Sequence, residues 1–329
     1  MKVLIGGAGG FIGGYLVKDL LSQGHAVIAV DIKPIDKWCQ VFSDSSNHVR
    51  DMRLKENNDL LSQGVDRIYN LACNMGGMGF IKNNHALCME SVLTQVHALM
   101  AARDNGVKEI LYSSSACVYP LEIQSDIKDA TSQALKESDT YPANPEDGYG
   151  WEKLFSEIIT HYFHEDFGLD TRVCRYHNVY GPLGSWEGGR EKAPAAICRK
   201  VAQAKLTGKR EIEIWGDGEQ TRSFMYIDDC ITGMNLIWEK GDPRPLNLGS
   251  DEMVSINQLV DIVEEIAGTK LKRCYNHNAP QGVRGRNSDN TRITEVLGWA
   301  PSTSLHVGME KTYKWIYDQV KANSPQKRK

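Results

Sequence analysis

Residues 2–13, Lys2-Val3-Leu4-Ile5-Gly6-Gly7-Ala8-Gly9-Gly10-Phe11-Ile12-Gly13, decide the fold. Val3-Leu4-Ile5 reads as a strand, and Phe11 to Leu21 follows a helical period. Between them Gly7, Gly10 and Gly13 form a GxxGxxG turn. A helix that starts this way offers free N–H groups, beginning at Phe11 and Ile12, and its positive dipole end to an anion. A side chain at Gly7 or Gly10 would hold a pyrophosphate off the backbone, and Gly13 lets helix and strand pack closely. Asp31 ends the next strand, Ala26-Val27-Ile28-Ala29-Val30. A carboxylate there accepts bonds from both ribose hydroxyls and repels a 2′-phosphate, which predicts NAD rather than NADP. Asp51, after a third strand, is a candidate for the adenine amino group, with Met52 N–H as donor. A surface aspartate is the competing reading.

Outward from this turn, strands at 67–72, 109–112 and 172–176 alternate with helices at about 87–103 and 149–163. Such alternation requires right-handed crossovers and a parallel sheet covered on both faces. The predicted class is α/β, with a Rossmann-type doubly wound parallel sheet. The second half changes character. Loops at 181–190, 216–222 and 280–289 separate helices near 193–204, 228–238, 256–266 and 307–320.

The 329 residues suggest about two structural units. With 38 Lys+Arg against 42 Asp+Glu the net charge is −4, which argues against nucleic-acid binding by bulk charge. The tail Lys327-Arg328-Lys329 is expected to be a solvated terminus. No apolar run is long enough to span a membrane. The opening residues read as a strand entering a turn rather than a secretory leader. No two of the eight cysteines are closer than fifteen residues, so there is no CxxC, and no metal site is expected. Scattered cysteines of this kind suggest reduced thiols and a cytoplasmic location.

Tyr149-Gly150-Trp151-Glu152-Lys153 is a YxxxK on a helix. Spacing of four puts phenol and ammonium on one face. The ammonium is expected to lower the phenol pKa, and Lys153 can also hold the cofactor ribose. The pair would then accept a proton from an alcohol that loses hydride to NAD. Ser115, at the end of the strand entering Ser113-Ser114-Ser115, stands where a third hydrogen-bonding group is needed.

These motifs resemble the extended short-chain dehydrogenase/reductase family, which includes the nucleotide-sugar epimerases and dehydratases. Arg175-Tyr176-His177-Asn178-Val179-Tyr180-Gly181-Pro182, Trp215-Gly216-Asp217-Gly218-Glu219-Gln220-Thr221-Arg222 and Asn247-Leu248-Gly249-Ser250 extend the resemblance over nearly the whole chain. It implies an NAD-binding domain over 1–178 and a smaller C-terminal α/β substrate-binding domain over 179–329, with some chain crossing back. Dehydratases of this family carry an Asp-Glu pair after the serine. Here Ala116-Cys117-Val118-Tyr119 stands instead, so dehydration is not expected. Met75-Gly76-Gly77-Met78-Gly79-Phe80, Ser114-Ser115-Ala116-Cys117, Gly188-Gly189-Arg190-Glu191-Lys192-Ala193-Pro194 and Val283-Arg284-Gly285-Arg286-Asn287-Ser288 resemble the subgroup that acts at C3 and C5 of GDP-mannose.

The resemblance implies that Tyr149, with Lys153 and Ser115, oxidises C4, and that Cys117 and Lys192 exchange the C3 and C5 protons from opposite faces. Taken alone, Cys117 reads as a buried filler and Lys192 as a solvated charge. Arg222 and Arg284 match phosphate-clamping arginines. Gly76, Ala116, Asn178, Glu191, Ala193, Lys200, Gln220 and Thr221 lie in matched segments. Arg286 reads as a surface charge. A homodimer through the helices at 87–103 and 149–163 is implied as well. The rival readings are a C4 epimerase with Cys117 idle, and an NAD-sensing binding protein.

Overall fold

The computed structural model describes residues 1–124, 134–240 and 242–323. The basic tail, Lys327-Arg328-Lys329, lies outside the described residues. Seven parallel strands form one sheet: β1 (Lys2–Gly6), β2 (Ala26–Asp31), β3 (Ser46–Val49), β4 (Arg67–Asn70), β5 (Glu109–Ser115), β6 (Asp170–Tyr176) and β7 (Leu246–Leu248). Their order is β7-β6-β5-β4-β1-β2-β3. The chain runs outward from β1 to β3, then returns to β4 on the other side of β1. A crevice opens at the carboxyl ends of the strands where this order reverses. β1 is buried from Val3 onward and β5 from Ile110 to Ser114, as expected of strands with helices on both faces.

Helix α1 (Phe11–Ser22) follows the glycine turn, and α2 (Val92–Asp104) packs on α3 (Asp147–Phe167). The helix expected over 87–103 is broken. His85–Met89 ends before α2, and the Ser91 hydroxyl between them accepts the Asn74 N–H at 2.8 Å, which ties the break to the end of β4. In the second half α4 (Ala193–Thr207) packs between α5 (Ile256–Ala267) and α6 (Leu305–Asn323). Two of the predicted loops contain strand: Thr221–Ser223 pairs in parallel with Gly285–Arg286, Arg222 opposite Arg286.

The two halves are not separately packed. β7 belongs to the second half yet extends the sheet through Leu246 opposite Cys174. One apolar cluster contains Val3, Ile5 and Leu16 together with Val201, Leu259 and Met309, all nearly inaccessible. Truncating one such side chain to alanine costs about 2–5 kcal/mol.

Candidate active site

A cavity of about 690 Å³ lies over the glycine turn and is lined by Gly7, Gly10, Phe11, Ile12, Gly13, Asp31, Asp51 and Met52. A Cβ on Gly13 would stand 2.2 Å from Gly7 O, so the turn closes only around glycine. Gly10 is the N-cap of α1 and makes no side-chain cap, which leaves the first-turn N–H groups of the helix for a ligand. Asp31 is buried at the tip of β2 and accepts Lys33 N–H at 3.0 Å. Asp51 lines the cavity but is shared with Arg53, whose Nη2 lies 2.8 Å away; these hydrogen bonds hold its carboxyl below the usual carboxylate range. A glycine cradle, a helix N-terminus and a ribose-height carboxylate together fit a dinucleotide.

At the end of β5 the Ser115 hydroxyl accepts Cys117 N–H at 3.2 Å and caps the short turn Ala116–Val118. Helix α3 crosses that turn closely: a Cβ on Gly150 would lie 2.3 Å from Cys117 O. Glycine after Tyr149 therefore brings phenol and thiol into one apolar cluster. Lys153 is almost fully buried behind Tyr149. It donates to Ser113 O at 3.0 Å, lies 3.5 Å from Glu152, and sits 5.5 Å from the Tyr149 ring centroid. Burial works against the Lys153 charge, and Cys73 and Glu152 more than offset it, so its pKa stands above the ordinary lysine value. The expected lowering of the Tyr149 pKa is not the net result. Burial raises it well above the ordinary phenol value, with Lys153 pulling the other way.

A second cavity, of about 250 Å³, contains Gly76, Ala116, Cys117, Asn178, Glu191, Lys192, Ala193, Lys200, Gln220 and Arg222 in its wall. Met75, Ser115, Tyr149, Tyr176 and Lys192 border both cavities. Ser115, Tyr149 and Lys192 thus stand where the two spaces meet, Cys117 lines the second cavity alone, and Lys153 lies behind Tyr149 in the wall of neither. Lys192 is the N-cap of α4, and its loop is fixed by Gly77 N–H donating to Arg190 O at 3.1 Å. Burial pushes its ammonium below the ordinary lysine pKa.

Not every predicted side chain in this wall has its polar atoms free. The Glu191 carboxylate is taken up by Arg199 at 2.8 Å and Gly189 N–H at 2.7 Å. Lys200 Nζ donates to Glu213 O at 2.7 Å. The Asn178 amide donates to Ser223 O at 3.0 Å. Thr221 is not in the wall. Neither is Arg284, whose Nη1 lies 2.9 Å from both Asp217 carboxylate oxygens.

Arg286, read from the sequence as a surface charge, lines the cavity instead and is buried. It donates to Gln124 Oε1 at 2.7 Å, Glu146 Oε2 at 2.9 Å and Cys117 Sγ at 3.2 Å. Both arginines sit in the same quoted motif, and only the pairing of Gly285–Arg286 with Thr221–Ser223 distinguishes them. Arg222 is of another kind. Its partners are the carbonyls of Thr221 at 2.7 Å and Val283 at 2.6 Å, with Gln281 O at 3.4 Å. Burial, and then the Arg286 charge, lower its pKa to about 10. With no carboxylate on it among the described residues, Arg222 is a cation in need of an anion.

Among the described residues no three or more His, Cys, Asp and Glu side chains stand together as a metal site, and no helix is long and apolar enough to cross a membrane. The eight cysteines are free.

Fold and site define an NAD-dependent enzyme of Rossmann type. The chain belongs to the NAD dependent epimerase/dehydratase family, whose model matches residues 3–249. It is 45% identical over 327 residues to GDP-mannose 3,5-epimerase 1 of Oryza sativa subsp. japonica, covering 99% of this chain and 84% of that protein. Among solved structures it resembles UDP-glucose 4-epimerase from Thermotoga maritima with UDP-glucose, at a TM-score of 0.86 and 25% identity, covering 97% of this chain and 100% of that one. It also resembles UDP-glucuronic acid 4-epimerase from Bacillus cereus in complex with UDP-glucuronic acid and NAD, at a TM-score of 0.81 and 25% identity, over 97% and 100% of the two chains.

Proposed function

We propose that the protein epimerises GDP-α-D-mannose at C3 and C5, giving GDP-β-L-galactose or, by inversion at C5 alone, GDP-L-gulose. The observation that carries this reading is that Cys117 and Lys192 share the wall of one cavity with Tyr149, and that Tyr149 and Lys192 also border the cofactor cavity. Gly7, Gly10, Phe11, Ile12, Gly13 and Asp31 would hold NAD. When bound it supplies a reversible hydride acceptor for C4.

Tyr149 takes the C4 hydroxyl proton, and Lys153 behind it supplies the positive charge that favours the phenolate. Ser115 orients that hydroxyl. With C4 at the ketone level the C3 and C5 protons are acidic. The Cys117 thiolate takes one: the C–H bond breaks, an S–H bond forms, and the electron pair delocalises onto the C4 oxygen. Lys192 returns a proton to the opposite face, and its burial makes it a stronger acid than a solvated lysine. Reversal at C4 completes the cycle. Arg222 receives the diphosphate, which suits the bidentate geometry of a guanidinium.

The active form is read as a homodimer with a closed two-fold interface. Trp151, Phe155, Ile158 and Tyr162 make an exposed apolar stripe at i, i+4, i+7 and i+11 along α3, and Leu93 is exposed on the adjacent α2.

The test is incubation with GDP-mannose and resolution of the sugars. GDP-L-galactose or GDP-L-gulose supports the reading. A product inverted only at C4 would leave Cys117 and Lys192 without a task and replace it with the C4-epimerase reading.

A further inference from the structure

Three arginines line the substrate cavity: Arg199, which Glu191 holds at 2.8 Å, and Arg222 and Arg286, whose surroundings differ in one respect. Arg222 has only carbonyl partners among the described residues, whereas Arg286 has a carboxylate, Glu146. Glu146 occupies the N-cap position of α3, where a side-chain oxygen can bond the helix's own N–H groups. It makes no such cap. Its side chain turns to Arg286, with both side chains 7% exposed. Its backbone N–H meanwhile donates to Cys117 O at 3.3 Å, so one residue holds the cysteine turn and the arginine beside it. Gln124 completes the mount. Its Nε2 is spent on the carbonyls of Tyr119 and Pro120, both at 3.0 Å, which leaves Oε1 to accept from Arg286 Nε.

We infer that Glu146 is a positioning residue that commits Arg286 to the Cys117 sulfur and withholds it from the substrate diphosphate, leaving that anion to Arg222. This rests on the proposed C3/C5 epimerisation. Without a carboxylate on it, a buried guanidinium in a cavity built for a diphosphate would swing to the phosphate, the strongest acceptor there. Cys117 would then lose the donor that fixes its Sγ. Consistent with this arrangement, burial works against the Arg286 charge, while its interactions with Cys117 and Glu146 hold its pKa above the ordinary arginine value. The division of labour makes a specific prediction: loss of Glu146 should slow proton exchange without weakening nucleotide-sugar binding.

The experiment uses the NAD-loaded protein with GDP-mannose in deuterium oxide. Three quantities are followed: deuterium entering C5, NADH formed by C4 oxidation, and KM. Glu146→Gln is expected to slow C5 exchange at least tenfold, to leave KM unchanged or lower, and to leave NADH formation within about twofold. Glu146→Asp, which keeps the charge on a shorter arm, should recover part of the exchange. Parental exchange in Glu146→Gln overturns the inference, as does an equal loss of exchange and NADH formation, which would mark a merely structural residue. If Glu146→Gln does not fold, Glu146→Asp decides: a fall in exchange relative to NADH formation supports the inference, and the parental ratio overturns it. Failure of the parent protein itself to exchange at C5 would instead sink the functional reading.

Discussion

Arg286 Nη1 donates to Cys117 Sγ at 3.2 Å, although 169 residues separate the two. The contact exists because the two-residue strand Gly285–Arg286 lies beside Thr221–Ser223 and Gly150 lets α3 close on the Ala116–Val118 turn. It gives the thiol a cationic neighbour that fixes where its sulfur stands.

Removing that neighbour should cost stability as well as activity. Arg286→Ala leaves the Glu146 carboxylate buried and unpaired. Losing one partner of a buried pair costs about 3–5 kcal/mol. Denaturant unfolding should show that loss. A change below about 1 kcal/mol would mean that water reaches Glu146.

The diphosphate should separate two arginines that the sequence treats alike. Arg222→Ala is expected to raise KM for GDP-mannose strongly, by about 2–5 kcal/mol in binding. Arg284→Ala should change KM less than about threefold, since Asp217 already holds that guanidinium. Steady-state kinetics would refute the assignment if the order were reversed.

Cofactor choice should depend on Asp31. Asp31→Ala is expected to weaken NAD and narrow its advantage over NADP, since the carboxylate both accepts the ribose hydroxyls and repels a 2′-phosphate. Calorimetric titration with each dinucleotide measures this. Equal affinities in the parent would remove Asp31 from the role.

The lowered pKa of Lys192 predicts a pH-dependent penalty on folding. A lysine whose folded pKa lies below its unfolded value binds more protons when unfolded, so stability rises with pH through that window. The penalty is full below the folded pKa and gone above the unfolded value of 10.5. Lys192→Met should therefore raise Tm at pH 7 while stopping inversion, and the gain should shrink toward pH 10.5. A lower Tm at pH 7 would show that the ammonium has a stabilising partner.

For the assembly, Phe155→Glu on the exposed stripe of α3 is expected to convert a dimer to a monomer in light scattering at micromolar concentration. A parent that is already monomeric would contradict the interface.

What the sequence disclosed was what is local. The glycine turn and the Tyr149–Lys153 spacing depend on neighbours within one or two helical turns, and both appear where expected. Arg284 and Arg286 could not be told apart, because their surroundings are set by a long-range strand pairing. Glu146 was missed because its partner Arg286 lies 140 residues away in the chain. The net rise in the Tyr149 pKa was hidden for a further reason. Spacing shows the ammonium next to the phenol but not the burial that outweighs it.

The central claim is that Cys117 and Lys192 exchange ring protons, and solvent deuterium tests it most directly. The NAD-loaded protein, incubated with GDP-mannose in deuterium oxide, should place deuterium at C3 and C5 of the recovered sugar. Cys117→Ala should abolish that exchange while Tyr149 and Lys153 still oxidise C4, visible as NADH. A parent that leaves C3 and C5 unlabelled, or a folded Cys117→Ala that labels and inverts C5 at the parental rate, would contradict the account.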